Sequence, residues 1–127
     1  MSQSPPVANK AAAVAAEVRT FLVEAFGARP RRSWGFDALY HRGRLFVLFD
    51  GPELVGKWPP ALRSQVRSAV PGAHAFMDDT DSPMSAWQAV PLAEVGVGRA
   101  IELALAAAEY VHTPDGAPKS RRVSSGR

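Results

Sequence analysis

The sequence predicts a two-layer α+β domain, an antiparallel sheet covered by helices, in the order α-β-β-β(-β)-α-β-β-α. Three observations predict it. Near the start, Val14, Val18, Phe21, Leu22 and Ala25 repeat at the spacing of one buried helix face. Between Arg29 and Trp58, short strand-like runs are separated by turns too short for a crossover, so neighbours must pair antiparallel. From Val97 to His112 a helical pattern is apolar around most of its circumference, as a well-buried or interface helix would be. Strands with helices to cover them give a layered α+β domain.

Taken in order, Asn9 is the expected N-cap of a first helix running to about Phe26, with Gly27 as its stop. Leu39-Tyr40-His41 and Leu45 to Phe49 flank the turn Arg42-Gly43. Phe46-Val47-Leu48-Phe49 is apolar on both faces and reads as a central strand. Asp50-Gly51-Pro52 is the next turn, and Glu53 to Trp58 a further strand stopped by Pro59-Pro60. Ala61 to Val70 reads as a short helix with Leu62, Val66, Ala69 and Val70 on one face, ended by Pro71-Gly72. His74 to Met77 is a short strand, Asp78 to Pro83 a polar loop, and Met84 to Val90 a last strand ending at Pro91. There is no internal repeat.

A chain of 127 residues is about one domain. The expected division is a disordered N-terminus over 1–8, one domain over 9–112 and a disordered basic tail over 113–127. Without cysteine, no disulfide, thiolate nucleophile or thiolate-held zinc can form. The start is polar and proline-bearing, unlike a signal peptide. The most apolar stretch, Ala100 to Ala108, is far too short to span a bilayer. The expectation is a cytoplasmic protein with no membrane association. The net charge of +3 sits in the tail, where Lys119, Arg121, Arg122 and Arg127 face only Asp115. Residues 1–112 carry equal numbers of basic and acidic side chains, unlike a uniformly basic nucleic-acid-binding domain.

The sequence offers little catalytic chemistry. His41, His74 and His112 lie in separate elements, none with a second histidine or carboxylate at metal-ligand spacing on the same element. Asp78, Asp79 and Asp81 supply clustered oxygens for a hard cation, but the twelve-residue calcium loop and its terminal glutamate are missing, and a solvated turn suffices. Gly96-Val97-Gly98 precedes the last helix without the third glycine or the βαβ setting of a dinucleotide site, and reads as linker. No serine sits in a nucleophile elbow. No catalytic residue, metal or cofactor is expected. A pocket enzyme or ligand binder would call for shifted histidines in a cleft.

One constellation stands out. Arg29, Arg31, Arg32, Arg42 and Arg44 fall within 16 residues, around Trp34, Phe36 and Tyr40. Arginines beside exposed aromatics can hold phosphates and stack bases. They also protect sheet edges and hairpin tips from aggregation. Arg31, Arg32, Trp34, Arg42 and Arg44 are the candidate residues for binding a nucleic acid or a partner.

The run Arg31-Arg32-Ser33-Trp34-Gly35-Phe36-Asp37-Ala38-Leu39-Tyr40-His41-Arg42-Gly43-Arg44, with the apolar Leu45 to Phe49 after it, resembles the TfoX N-terminal family. That pattern is a basic residue, Met-Phe-Gly-Gly, an aliphatic-Tyr pair, a glycine turn and an apolar strand. The resemblance continues through Glu53-Leu54-Val55-Gly56-Lys57, Pro83 to Pro91 and the alanine-rich last helix, spanning about residues 10–112. Ser33 stands where methionine is usual, and Phe36 where the second glycine is, which argues against a tight turn there. The MmcQ/YjbR family has a similar layout and is the alternative. Either implies a secretion-chaperone-like or YjbR-like arrangement and no catalytic residues. TfoX proteins are associated with regulating natural competence, with a transcription factor at promoters, and usually carry a second C-terminal domain, for which only a short stretch remains here. The expected function is a non-enzymatic regulatory or protein-interaction module, with a protein partner or a homodimer. The alternative is a nucleic-acid-binding module using the arginine hairpin and basic tail.

Overall fold

The computed structural model describes residues 7–76 and 86–117. Its elements are α1 (Val7–Glu24), β1 (Arg29–Ser33), β2 (Phe36–His41), β3 (Arg44–Asp50), β4 (Glu53–Lys57), α2 (Pro60–Ala69), β5 (His74–Ala75), β6 (Trp87–Pro91) and α3 (Leu92–Tyr110). The protein is α+β in the expected order, with the optional fourth strand present. The six strands form one antiparallel sheet in the order β1-β2-β3-β4-β6-β5.

α1 begins before Asn9, so Asn9 lies within the helix and does not cap it. Nothing between Val7 and Lys10 breaks a helix. The buried stripe is Ala11, Val14, Val18 and Leu22. Phe21, expected on that face, is 40% exposed, and Ala25 is exposed too. The stripe follows i+4 steps from Val14, which carries Phe21 round to one side. Gly27 takes φ 88° at the helix end, where the Phe26 and Ala28 amides donate to the Phe21 and Leu22 carbonyls.

Three hairpins follow, each with a two-residue turn, and the first two turns share one form. Trp34-Gly35 and Arg42-Gly43 all have positive φ, the form whose twist matches the strands. A tight turn therefore exists at Trp34-Gly35 although Phe36 replaces a glycine, because Phe36 opens β2 and bears no turn geometry. Tyr40 pairs with Leu45 and Leu39 with Val47, leaving Phe46 as the extra residue of a β-bulge. The bulge turns Phe46 and Val47 to the same side, which is why the run is apolar without strict alternation.

β4 ends at Lys57, one residue before the expected stop. Trp58 leaves the strand, is fully buried and donates its indole N–H to the Leu103 carbonyl at 2.7 Å. Pro60 starts α2 as its first residue, with Pro59 before it. Proline fits there because that N–H would be unpaired in any case. In α2, Val66 is buried, Leu62 half-buried and Ala69 exposed. β5 covers only His74 and Ala75, and the Phe76 amide extends the ladder to Trp87. Met77, Met84 and the Asp78 to Pro83 loop lie outside the described residues.

α3 starts at Leu92 and contains a break at Gly96, with φ 80° and ψ 172°. That backbone region is essentially open to glycine alone. Gly96 is thus the corner between a first turn and the long helix, while Gly98 is helical. α3 contacts α1 on one side and β3, β4 and β6 on the other. That position explains its nearly complete apolar surface, with Ala100, Ala104, Ala107 and Ala108 keeping neighbours close. Residues 113–117, expected to be tail, fold back onto the body: Lys57 donates to the Gly116 carbonyl at 2.8 Å, and Gly116 is buried. Residues 118–127, with their four basic side chains, lie outside the described residues.

The main core, from Val14, Val18 and Leu22 through Phe46, Leu54 and Trp58 to Leu103, lies between the helices and one sheet face. The other face carries a second cluster of Ala38, Leu48, Val55, Trp87 and Ala89, bordered by Phe36, Tyr40, Leu45 and Phe76. All three helices place their apolar residues in the first cluster. No helix among the described residues is long and apolar enough to cross a membrane.

Candidate functional site

The hairpins distribute the five arginines over two ends and two faces of the sheet. β1 is an edge strand whose first four residues are exposed. Cross-strand partners share a face, so Arg29 and Arg31, opposite Tyr40 and Ala38, lie on the second-cluster face. Arg31 holds its guanidinium 5.0 Å from the centre of the Tyr40 ring, a cation–π contact. Arg32, opposite Asp37, lies on the helix face and donates to the Gly35 carbonyl. Asp37 is taken by Arg19 of α1, at 3.0 Å.

Trp34 and Arg42 occupy turns at opposite ends of β2, about 20 Å apart at the rise of a strand. Arg44 is half-buried and donates to the Val111 carbonyl at 2.9 Å, tying β3 to the end of α3. Arg31, Arg32 and Trp34 are therefore neighbours, whereas Arg42 and Arg44 belong to the other end of the sheet. Among the described residues, Trp34 and Arg42 are the non-glycine residues at positive φ, 54° and 52°. Bulky side chains are rare there. Trp34 is also 61% exposed, leaning edge-on towards Trp87 with ring centres 6.3 Å apart.

The histidines meet partners that the sequence conceals. His41 Nδ1 lies 3.2 Å from His112 Nε2, joining the end of β2 to the end of α3 across 71 positions. The His41 ring stacks on Phe26 at 4.4 Å. Partial burial, with His112 and Arg42 nearby, pushes His41 below its ordinary value. Both His74 ring nitrogens face acceptors, so the protonated ring donates twice, from Nε2 to the Glu53 carboxylate at 2.9 Å and from Nδ1 to the Ala75 carbonyl at 2.9 Å. Those bonds, the Glu53 one first, push it upward. With both nitrogens engaged, His74 offers no free lone pair for base catalysis.

Among the described residues no three His, Cys, Asp or Glu side chains gather as metal ligands. Asp78, Asp79 and Asp81 lie outside those residues. An open groove of about 610 Å³ runs between α2 and β6, lined by Arg63, Ser64, Arg67, Ser68 and Gln88 among others. Arg67 donates to Gln88 across it at 3.3 Å. It is polar and open, unlike the enclosed apolar sites that hold small ligands.

By fold and surface this is an α+β domain with a basic sheet edge ending in an exposed tryptophan. No protein-family model, no curated protein and no solved structure matches the chain.

Of the site residues, the arginine-tryptophan neighbourhood was legible as a run in sequence. The strain at Trp34 and the His41–His112 contact were not, because neither turn register nor distant pairing has a local signature.

Proposed function

We propose that the protein is a non-enzymatic interaction module that holds a partner protein at the β1–β2 hairpin, with Trp34 as the anchor and Arg31 and Arg32 beside it. The observation that carries this reading is Trp34 itself: a large apolar side chain, 61% exposed, held at φ 54° in a turn where asparagine is favoured. Backbone strain concentrates at functional positions. Exposed tryptophan flanked by arginine is the composition of interface hot spots. The resemblance to the TfoX N-terminal pattern supports the same reading, since it implies a regulatory module without catalytic residues.

The nucleic-acid alternative is less well supported. The arginines form no continuous track, because Arg42 and Arg44 stand apart from the β1 group and Arg44 is bonded to Val111.

A photo-crosslinking phenylalanine placed at position 34 in the expressing cell tests the proposal. A discrete protein adduct is expected at position 34 and not at exposed Gln65 on α2. The same adduct pattern at both positions, or none at either, would reject the reading.

A further inference from the structure

We infer that β1 is a docking edge for an extended acidic segment of a partner protein, which adds to the sheet as a further strand beside Arg29–Ser33. The inference rests on the interaction-module reading and names the chemistry of the partner.

The edge has a definite pattern of open groups. Ser33 and Phe36 flank a two-residue turn and so form its closing hydrogen-bonded pair. By alternation, the backbone groups of Ser33, Arg31 and Arg29 point to β2, and those of Arg32 and Pro30 point outward. Proline has no N–H, so the outward edge offers the Arg32 N–H and the Arg32 and Pro30 carbonyls. Main-chain bonds of this kind are what an added strand uses, with side chains supplying the choice of partner.

The side chains choose acid. Among the described residues, Arg29, Arg31 and Arg32 form no ion pair, and the carboxylate opposite Arg32, Asp37, is held by Arg19. Arg31 is held in place over Tyr40. A second copy of β1 laid on this edge would set arginine against arginine, which destabilises a strand pair. The charge that repels a second copy attracts an acidic strand, and Trp34 at the strand end supplies an apolar contact. A single-stranded nucleic acid would need successive open aromatic faces, of which Trp34 supplies only one. Arg31 already covers Tyr40, Trp87 is buried, and Asp50 and Glu53 share that sheet face.

The test uses the full chain and three fluorescein-labelled probes: a ten-residue peptide alternating Glu and Val, its Gln-Val counterpart, and a ten-nucleotide oligothymidylate. Anisotropy at low salt should show the Glu-Val peptide binding at least about tenfold more tightly than the Gln-Val peptide. Arg31→Gln with Arg32→Gln should weaken it by a similar factor. In amide exchange, the Arg32 N–H should become protected on binding, because it is the outward donor. Arg32→Pro should weaken binding beyond Arg32→Gln while the fold persists, since an edge strand tolerates proline at an outward position. If Arg32→Pro does not fold, the exchange result on the unsubstituted chain decides.

No binding of the Glu-Val peptide, equal binding of the Gln-Val peptide, or binding without protection at Arg32 would overturn the inference. Binding of the oligothymidylate alone would overturn it in favour of a nucleic acid. A position-34 crosslink that persists when the acidic peptide fails leaves the interaction module standing without this partner. Loss of both removes both.

Discussion

Trp34 and Arg42 stand in turn positions where asparagine is the favoured residue, and each turn keeps its glycine second. Replacing Trp34 with Asn relieves the positive φ and loses the edge contact with Trp87, an aromatic pair of about 0.5–1.5 kcal/mol. The two effects oppose each other. Urea unfolding should therefore place Trp34→Asn within about 1 kcal/mol of the parent, whereas Trp58→Ala, at a fully buried ring, should cost about 3–5 kcal/mol. A large loss for Trp34→Asn would mean that the ring serves the fold.

The histidines give stability of opposite pH dependence. His41 lies below the ordinary 6.5, so the folded state binds fewer protons there. Its contribution is present above 6.5 and lost as pH falls through the lowered value. His74 lies above 6.5, so its contribution is complete below 6.5 and lost as pH rises through the raised value. Melting midpoints from pH 5 to 8 should show His74→Gln losing more at pH 5.5 than at 8. His41→Gln should show a shallower acid-side decline than the parent.

At the scale of elements, β4 and Trp58 depend on one glycine. A Cβ on Gly56 would sit 2.5 Å from the Trp58 ring, which is itself fixed by its bond to Leu103. Gly56→Ala should destabilise by about 1–3 kcal/mol, the range for overpacking a filled core. Combined with Trp58→Leu, the added cost of the alanine should shrink, since the clash is removed. Denaturant midpoints of the two single variants and the double variant measure this. Gly56 was readable only as a strand residue in the sequence. Its packing against the residue two positions on depends on Trp58 turning back over the strand after β4 ends.

Over the whole molecule, charge is divided between the body and the last residues. Residues 1–112 balance, and the surplus of +3 lies beyond them. The five arginines of the first two hairpins are divided between two ends and two faces of the sheet. Any affinity for random duplex DNA at about 50 mM salt should vanish on deletion of residues 118–127 and be unchanged by Arg31→Ala or Arg42→Ala, as read by anisotropy. Sensitivity to the two single changes would instead bring the hairpins into a DNA site.

Sequence by itself determined the element types, their order and most of their positions. Local signals act over a few residues: helix periodicity in α1, glycine turns at Gly43 and Gly51, and apolar strand runs. It also determined that arginine gathers around Trp34. Tertiary structure alone decided what these elements became when packed. Insertion of β6 between β4 and β5, the Phe46 bulge, and α3 lying between α1 and the sheet all depend on contacts between distant residues. So do the parting of Arg31 and Arg32 from Arg42 and Arg44, and the meeting of His41 with His112. Spacing along a chain reports which face a residue takes within its own element, and only the pairing of elements brings those faces together.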